Sequence, residues 1–394
     1  MDDRSNRGFF DYESSEADGG APLPPSFSTT LRHSVADTGL IDILEACIQY
    51  DVATYFFPST PTASGTWTPT SALGDGLTCV VRRYEVQEDI QPELKQGTAV
   101  AIKQYLLHNG TEDPGDVSEG TIFNLIKREV EIMASPRFKD EENIATLLFV
   151  GYREDSPFPT LGVELALYGT LDYVLRSPGD GLTDNDKINM TVDIGTGLGT
   201  LHDAGIAHGD LKCENILVCH HETRGIVAKI TDFSGVCHVG RKEARPSHFT
   251  TLWSPPEALL QQTSIDWRKA DVYAYGLLVA SIWMRTSEIW AHELSPSFST
   301  CGMEEFVPSE TLPEEEKEDE RERLKLKVDH AENSLVGLLS KALNERVTPA
   351  LAPVVLSILK NTLASCSWDR FTIREIMDEH FARLQVEPRQ EAEK

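Results

Sequence analysis

The segment at residues 208–215, with the sequence HGDLKCEN, carries three different polar groups within one short loop. Asp210 supplies a carboxylate, Lys212 an ammonium group two residues later, and Asn215 a carboxamide five residues after the aspartate. A carboxylate can accept a hydroxyl proton, a cation can shield a phosphate, and an amide oxygen can hold a metal ion. Because phosphoryl transfer uses these three groups together, the loop constrains both the fold around it and its chemistry.

A second acidic position follows this loop at a distance that two short strands fill. Asp232 begins the tripeptide Asp-Phe-Ser, 17 residues after Asn215. Between them, residues 216–218 and 226–230 are apolar and rich in β-branched side chains, which predicts two strands. The second strand then ends beside a carboxylate, so Asp232 is a second candidate metal ligand.

The composition is that of an acidic globular protein. Hydrophobic residues make up 40% of the 394 residues, and no apolar run reaches the roughly 18 residues of a membrane span. The net charge of −27 argues against nucleic-acid or anionic-membrane partners, because both require a basic face. Seven scattered cysteines indicate free thiols in a reducing compartment. The polar start of the chain shows no secretory signal, so we expect a cytoplasmic protein, with a nuclear location left open.

The order of the sequence patterns predicts an α+β protein with two lobes. Between residues 70 and 164 most segments have strand character, with one helical stretch at about 120–134. From residue 165 to 385 the pattern is mostly helical. Because strands come first and helices follow, we expect a small β-rich lobe on a larger helical lobe.

Further segments surround these two lobes. Residues 1–35 are rich in polar side chains, Gly and Pro, which predicts a disordered tail, and residues 386–394 form a second tail. Residues 36–69 begin with apolar side chains at helical spacing; we expect this helix and its linker to pack on the small lobe, with a partner-binding helix as the alternative. An acidic stretch at about 303–327 predicts a solvated insertion, and a docking surface for a basic partner is the alternative.

Six motifs that occur in a fixed order give the chain a family resemblance. They are LGDGLTCVV at 73–81, VAIK at 100–103, HGDLKCEN at 208–215, DFS at 232–234, TTLWSPPE at 250–257 and DVYAYG at 271–276. Over about residues 70–385 this series resembles the eukaryotic protein kinase superfamily. The resemblance implies a bilobal fold that binds ATP and Mg²⁺ between its lobes.

The resemblance also implies which residues contact the nucleotide. The glycine-rich loop would cover the phosphates, Ala101 and Val81 would lie over the adenine, and Leu217 would lie beneath it. Backbone groups of the hinge between the lobes would bind the adenine, with Val163 in the gatekeeper position. The implied set is Leu73, Gly74, Gly76, Val81, Ala101, Lys103, Val163, Glu164, Ala166, Leu217 and Asp232.

In the catalytic loop, the resemblance implies that Asp210 orients or deprotonates the substrate hydroxyl. Lys212 would neutralise charge on the γ-phosphate, and a lysine at this position is similar to the serine/threonine branch of the family. Asn215 and Asp232 would hold Mg²⁺, since hard oxygen ligands suit that ion. Asp271 would brace the backbone of the loop.

Two ion pairs are implied as well. Lys103 would reach the α- and β-phosphates and needs a carboxylate partner; Glu129 is the expected partner and Glu131 is the alternative. Glu257 and Arg370 would form a buried pair in the large lobe, which is a structural role.

Three positions depart from the family pattern. Gly209 stands where an arginine usually precedes the catalytic aspartate, and because that arginine pairs with a phosphorylated activation loop, we predict that this switch is absent. Ser234 replaces the glycine that follows Asp-Phe and should stiffen the backbone, although Gly235 comes next. Cys79 takes the place of the third glycine of the glycine-rich loop and adds a side chain there.

None of these departures removes a group that would touch phosphate, metal or hydroxyl. We therefore expect an ATP-dependent protein serine/threonine kinase whose partners are ATP and an unidentified protein substrate, with no nucleic acid and no membrane. The alternative is a pseudokinase, meaning a scaffold or nucleotide-binding module without transferase activity. A small-molecule phosphotransferase is a third interpretation.

Overall fold

The computed structural model describes residues 35–57, 67–75, 79–87, 89, 94–106, 118–154, 156–178, 181–240, 245–260, 264–287, 289 and 334–381. The acidic insertion predicted at about 303–327 and the tail at 386–394 lie outside the described residues. The tail predicted at 1–35 also lies outside them, except for its last residue, Val35.

The first part of the chain begins with a helix, α1 (Val35–Gln49), and forms one six-stranded sheet. Its strands are β1 (Thr54–Phe57), β2 (Trp67–Asp75), β3 (Cys79–Val86), β4 (Ala99–Tyr105), β5 (Leu147–Arg153) and β6 (Thr160–Glu164). The order across the sheet is β1-β5-β6-β4-β3-β2, with β1 parallel to β5 and the other neighbours antiparallel. The register sets Lys103, on β4, between Val81 and Leu161 on the two flanking strands.

A second helix, α2 (Glu119–Ala134), lies between β4 and β5 in the chain and confirms the helix predicted at about 120–134. It begins after Ser118, whose hydroxyl accepts a hydrogen bond from the backbone N–H of Thr121 and so caps the helix. Ile122, Ile126 and Val130 recur every four residues and are buried, which fixes the face that α2 turns toward the core.

The second part of the chain is mainly helical. Its elements are α3 (Leu171–Arg176), α4 (Asp184–Asp203), β7 (Ile206–Ala207), β8 (Ile216–His221), β9 (Gly225–Ile230), β10 (Cys237–His238), α5 (Pro256–Leu259), α6 (Trp267–Met284), α7 (Ser334–Arg346), α8 (Ala352–Thr362) and α9 (Ile373–His380). Two small antiparallel sheets, β8 with β9 and β7 with β10, lie among the helices. β8 and β9 contain the two strands predicted around residues 216–230.

Helix α6 forms the centre of this helical part. Every residue from 270 to 284 is buried, because α4, α7 and α8 all pack around it. A helix that is apolar on all sides is stable only in such surroundings. Within the ranges given above, no helix is both long and apolar enough to cross a bilayer.

One hydrophobic core joins the two parts and holds the sheet against the helical part. Its members include Ile126 and Val150 from the first part and Leu198 and Leu277 from the second. Backbone hydrogen bonds also cross: Ala145 N–H donates to the Ile230 carbonyl at 2.9 Å, so the segment after α2 is attached to β9.

Candidate active site

The ammonium group of Lys103 lies between two carboxylates that are far apart in the sequence. Its Nζ is 2.5 Å from Glu129 Oε1, on α2, and 2.9 Å from Asp232 Oδ1, just after β9. The Glu129 side chain is only 3% exposed and that of Lys103 is 12% exposed. The structure therefore brings together three residues from the sheet, from α2 and from the helical part. Glu131, the alternative partner, instead lies 4.0 Å from Lys127 and is more exposed.

Burial and charge together shift the pKa values of this trio. Burial alone would lower the pKa of Lys103, but Asp232 and Glu129 raise it well above its usual value, so the ammonium stays charged. Burial raises the pKa of Glu129 to about 7, against the opposing effect of Lys103. Burial would also raise the pKa of Asp232, but Lys103 and a hydrogen bond from Ser234 lower it well below its usual range. The Lys103 ammonium thus pairs with two carboxylates, and Asp232 stays ionised to a lower pH than Glu129 because its pKa is lower.

The loop at residues 208–215 is held in place by Asp271, at the start of α6. The Asp271 carboxylate accepts backbone N–H groups of His208 at 2.8 Å and Gly209 at 2.9 Å. The His208 ring, in turn, lies 3.0 Å from the Thr231 carbonyl oxygen through its Nε2. The residue before Asp232 is therefore tied to the same loop that carries Asp210.

The carboxylate of Asp210 is buried within a dense set of polar contacts. Its Oδ1 accepts the backbone N–H of Thr250 at 2.8 Å and the hydroxyl of Thr250 at 2.7 Å. Its Oδ2 lies 2.9 Å from Lys212 Nζ, which also donates to the Thr250 hydroxyl at 2.9 Å. These bonds hold Asp210 in one orientation and join it to the segment that carries Thr250.

Asn215 and Asp232 present oxygen atoms that fit a hard cation. The Asn215 amide nitrogen donates to the Asp210 carbonyl at 2.7 Å, and among the described residues no hydrogen bond reaches its amide oxygen. Lys103 and Ser234 both bond Oδ1 of Asp232, and within the same residues Oδ2 receives no hydrogen bond. One amide oxygen and one carboxylate oxygen, both hard ligands, are the donor set that Mg²⁺ prefers.

The residues expected to contact a nucleotide lie on neighbouring elements. Ala101 is buried on β4 and pairs with Val163 on β6. Val81, on β3, lies opposite Lys103, on β4. Leu217 is half-buried on β8, and Ala166 is half-buried just beyond β6.

The other members of that set have different surroundings. The carboxylate of Glu164 lies 2.8 Å from Lys229 Nζ, which ties the end of β6 to β9. Leu73 and Gly74 are exposed on β2. Gly76 lies outside the described residues.

The structure gives a physical reason for the glycine at position 209. Gly209 has φ +83°, a left-handed conformation that side chains rarely adopt. A Cβ atom there would also lie 2.7 Å from Pro246 Cγ and 3.0 Å from the Gly235 carbonyl oxygen. The space that a side chain would need is filled by Pro246.

The two other departures also have defined surroundings. Ser234 is buried, and its hydroxyl donates to Asp232 Oδ1 at 2.8 Å. Its backbone is not left-handed, so no glycine is required at this position. Cys79 is half-buried and lies opposite Tyr105 on β4, and burial raises the pKa of its thiol to about 11.

Tyr105 is a residue that the motifs do not reveal. Its hydroxyl donates to Glu129 Oε1 at 2.8 Å, and its ring centroid lies 5.4 Å from Lys103 Nζ. The signal available in the sequence is its spacing, since residues two apart on a strand share one face. His248 is a second such residue: its Nε2 lies 3.5 Å from the Ser234 hydroxyl and 3.9 Å from Asp210 Oδ2.

Comparison with known proteins assigns the chain to a family. The family model described as the protein kinase domain matches residues 70–382, which is most of the chain. The chain therefore belongs to the protein kinase family, and the predicted α+β bilobal fold is confirmed.

Individual relatives match over shorter stretches. "Probable serine/threonine-protein kinase gdt8" of Dictyostelium discoideum is 27% identical over 45% of this chain and 12% of its own length. "RGS domain-containing serine/threonine-protein kinase A" of the same organism is 32% identical over 42% of this chain and 14% of its own length. "Tyrosine-protein kinase SPK-1" of Girardia tigrina is 30% identical over 30% of this chain and 24% of its own length. The chain thus spans a quarter or less of the length of these relatives. Two of them are named serine/threonine kinases and one is named a tyrosine kinase.

Proposed function

We propose that this protein is an ATP-dependent protein serine/threonine kinase that transfers the γ-phosphate of Mg-ATP to a protein hydroxyl. The observation that carries the proposal is the position of Lys103 between Glu129 and Asp232. A charged ammonium at this place can bind phosphate oxygens, and a low-pKa carboxylate beside it can hold a cation.

The nucleotide would bind in the cleft between the sheet and the helical part. Ala101 and Val81 would cover the adenine from the sheet, and Leu217 would support it from β8. The backbone of Glu164 and Ala166 would provide polar contacts to the adenine edge. Asn215 and Asp232 would hold Mg²⁺, which when bound neutralises charge on the phosphates.

Asp210 and Lys212 would act on the acceptor hydroxyl and the transferred group. Asp210 would orient the substrate hydroxyl and accept its proton. The two hydrogen bonds from Thr250 hold the Asp210 carboxylate in one orientation. Lys212 lies 2.9 Å from both Asp210 and Thr250, so its charge is held where phosphate charge would develop. This lysine supports assignment to the serine/threonine branch, which is a narrower proposal than membership of the protein kinase family.

The alternative function, a pseudokinase, rests on Cys79. A thiol at the third glycine position adds volume where the glycine-rich loop would approach phosphates. The proposed partners of an active kinase are ATP and a protein substrate, without nucleic acid or membrane, in keeping with the net charge of −27.

Transfer of labelled phosphate from ATP to a basic model protein in the presence of Mg²⁺ tests the proposal. We expect the wild type to label serine or threonine, as read by phosphoamino-acid analysis. Asp210→Asn should abolish labelling while keeping the rise in melting temperature with excess Mg-ATP. Asp378→Asn, which changes an exposed carboxylate on α9, is the matched control and should retain labelling.

Each outcome separates the candidate functions. Binding of Mg-ATP without any transfer would support the pseudokinase and contradict the kinase. Labelling of tyrosine alone would contradict the serine/threonine assignment. An unchanged melting temperature together with no labelling would contradict every nucleotide-dependent function.

A further inference from the structure

Each carboxylate that contacts Lys103 also receives a hydrogen bond from a buried hydroxyl. Glu129 Oε1 accepts from Lys103 at 2.5 Å and from the Tyr105 hydroxyl at 2.8 Å. Asp232 Oδ1 accepts from Lys103 at 2.9 Å and from the Ser234 hydroxyl at 2.8 Å. In both cases the hydroxyl belongs to the residue two positions after a member of the charged trio.

Tyr105 reaches both members of the Lys103–Glu129 pair. It is 2% exposed, and because it lies two residues after Lys103 on β4, its side chain points to the same face of the sheet. A buried tyrosine hydroxyl needs a hydrogen-bond partner, and here that partner is the Glu129 carboxylate. Tyr105 therefore links the sheet to α2 independently of the ion pair.

Ser234 acts on the other carboxylate. Asp232 has φ 62°, a left-handed conformation that is uncommon for residues other than glycine, and the terminal torsion of an aspartate side chain is loosely defined. The hydroxyl of Ser234, a residue that is 6% exposed, fixes this torsion by donating to the same oxygen that Lys103 binds. The second oxygen, Oδ2, is thereby kept on the side away from both donors.

We propose that Tyr105 and Ser234 are positioning residues that hold Glu129 and Asp232 on either side of Lys103. The inference rests on the proposed function, because it concerns the same site. It assigns a role to the serine that replaces the usual glycine and to a tyrosine that no motif contains.

The Lys103 ammonium group alone is insufficient to fix both carboxylates. Lys103 must direct its N–H donors to two carboxylates while leaving one donor for a phosphate. Without the hydroxyls, Lys103 would be the one side-chain donor among the described residues that holds each carboxylate, which could then rotate about its terminal bond. Donors in a shell around a metal ligand affect metal affinity or activity by roughly 10- to 100-fold, so these two hydroxyls should have measurable effects.

The experiment compares variants that remove only a hydroxyl. Tyr105→Phe keeps the ring, and Ser234→Ala keeps the Cβ atom, so neither leaves a large cavity. Tyr173→Phe, which alters a tyrosine that is 66% exposed on α3, is the matched control. Two readouts apply to each variant: steady-state kcat and KM for transfer, and calorimetric ADP affinity with and without Mg²⁺.

We expect Tyr105→Phe and Ser234→Ala each to lower kcat by about 10-fold, with KM for the protein substrate unchanged. Ser234→Ala should also reduce the gain in ADP affinity that Mg²⁺ provides, by about 10-fold. Tyr105→Phe should weaken ADP binding equally with and without Mg²⁺, because it acts through Lys103. Ser234→Thr keeps a hydroxyl and should recover most of the loss seen with alanine, whereas Tyr173→Phe should match the wild type.

The failures of the two proposals look different. If the wild type binds and transfers but Tyr105→Phe and Ser234→Ala match it in both readouts, the positioning role is overturned and the kinase assignment stands. If Ser234→Thr is as defective as Ser234→Ala, the side-chain volume and not the hydroxyl is responsible, which also overturns it. A wild type that neither binds ADP nor transfers phosphate overturns the proposed function itself.

Discussion

Gly209 lies so close to Pro246 that a Cβ atom on Gly209 would be 2.7 Å from Pro246 Cγ. Pro246 is buried in the segment that leads to Thr250, and the next residue, Ser247, donates from its hydroxyl to the Ser234 carbonyl at 3.0 Å. The segment is thus packed by direct contacts on the loop at residues 208–215, whose Gly209 stands where the family resemblance implies an arginine.

Substitution at Gly209 should be costlier than substitution at a comparable open glycine. Gly209→Ala must adopt a left-handed backbone and also push Pro246 aside, so we expect a loss of about 2–4 kcal/mol in the free energy of unfolding. Gly205→Ala, at φ +72° with open space around it, should lower the free energy of unfolding by only ~1–2 kcal/mol, because backbone strain is its only cost. Urea unfolding of the two variants measures the difference, and equal losses would contradict the packing role of Pro246.

Phosphatase treatment should leave the transfer rate nearly unchanged. A phosphorylated activation loop usually pairs with the arginine that Gly209 replaces, and here Pro246, Ser247 and Thr250 make contacts that need no phosphate. The measurement compares protein treated with active and with heat-inactivated phosphatase. A loss of activity of more than about 10-fold on dephosphorylation, a difference of about 1.4 kcal/mol, would show that a phosphate orders this segment by another contact.

The close contact between α1 and α2 predicts that substitution of a second glycine, Gly39, lowers stability. A Cβ atom on Gly39 would lie 2.6 Å from the Cβ of Phe123, an atom that cannot swing away, and Asp42 pairs with Lys127 at 3.2 Å beside it. Gly39→Ala should therefore destabilise the protein by about 1–3 kcal/mol. Gly337→Ala, on an open face of α7, should instead stabilise it by ~0.5–1 kcal/mol through helix propensity. Opposite signs in thermal unfolding support the close packing; a neutral Gly39→Ala contradicts it.

Activity and stability should change in opposite directions around pH 7. Burial raises the pKa of Glu129 to about 7, and Lys103, Tyr105 and Asp232 are the groups that face it. As the pH falls through about 7, Glu129 gains a proton and its ion pair with Lys103 weakens, so the transfer rate should fall. In the unfolded chain the glutamate has a pKa near ~4.3. Between this pH and about 7, Glu129 therefore binds more protons in the folded state than in the unfolded state. The contribution of Glu129 to stability is therefore fully present below ~4.3 and is lost as the pH rises through about 7.

Rate–pH and melting–pH profiles of the wild type and Glu129→Gln check this prediction. The variant cannot titrate at this position, so the acid decline in rate and the alkaline decline in stability assigned to Glu129 should both disappear. A wild-type rate that stays level from about pH 6 to 8 would contradict the shifted pKa.

The motifs indicated charged side chains that the structure brings into contact, because each motif is a short local segment; the roles of these residues stay a prediction. Lys103, Asp210 and Asp232 each lie in a short segment whose spacing is typical of the family, and the structure brings the first and the last within 2.9 Å. The contacts of Tyr105 and Pro246 could not be predicted in this way. Their partners, Glu129 and Gly209, lie in other segments, and only tertiary packing brings them together.

Strand pairing shows the same limit. β1 lies within the region expected to be a helix and a linker, yet it adds a parallel strand at the edge of the sheet beside β5. The pairing joins Thr54 to Val150, which are 96 residues apart, so no local pattern indicates it. The order of strands and helices did predict the two lobes, because that order depends only on local periodicity.

The proposed function requires that Asp232, held by Lys103, takes part in phosphoryl transfer. The most direct test is the rate of labelled-phosphate transfer by Asp232→Asn, which preserves shape and removes the charge. We predict a fall of at least ~10²-fold, as for removal of other groups that stabilise developing charge, with an unchanged far-ultraviolet circular dichroism spectrum. A variant that transfers phosphate within about 2-fold of the wild type, a difference of only about 0.4 kcal/mol, would contradict the claim.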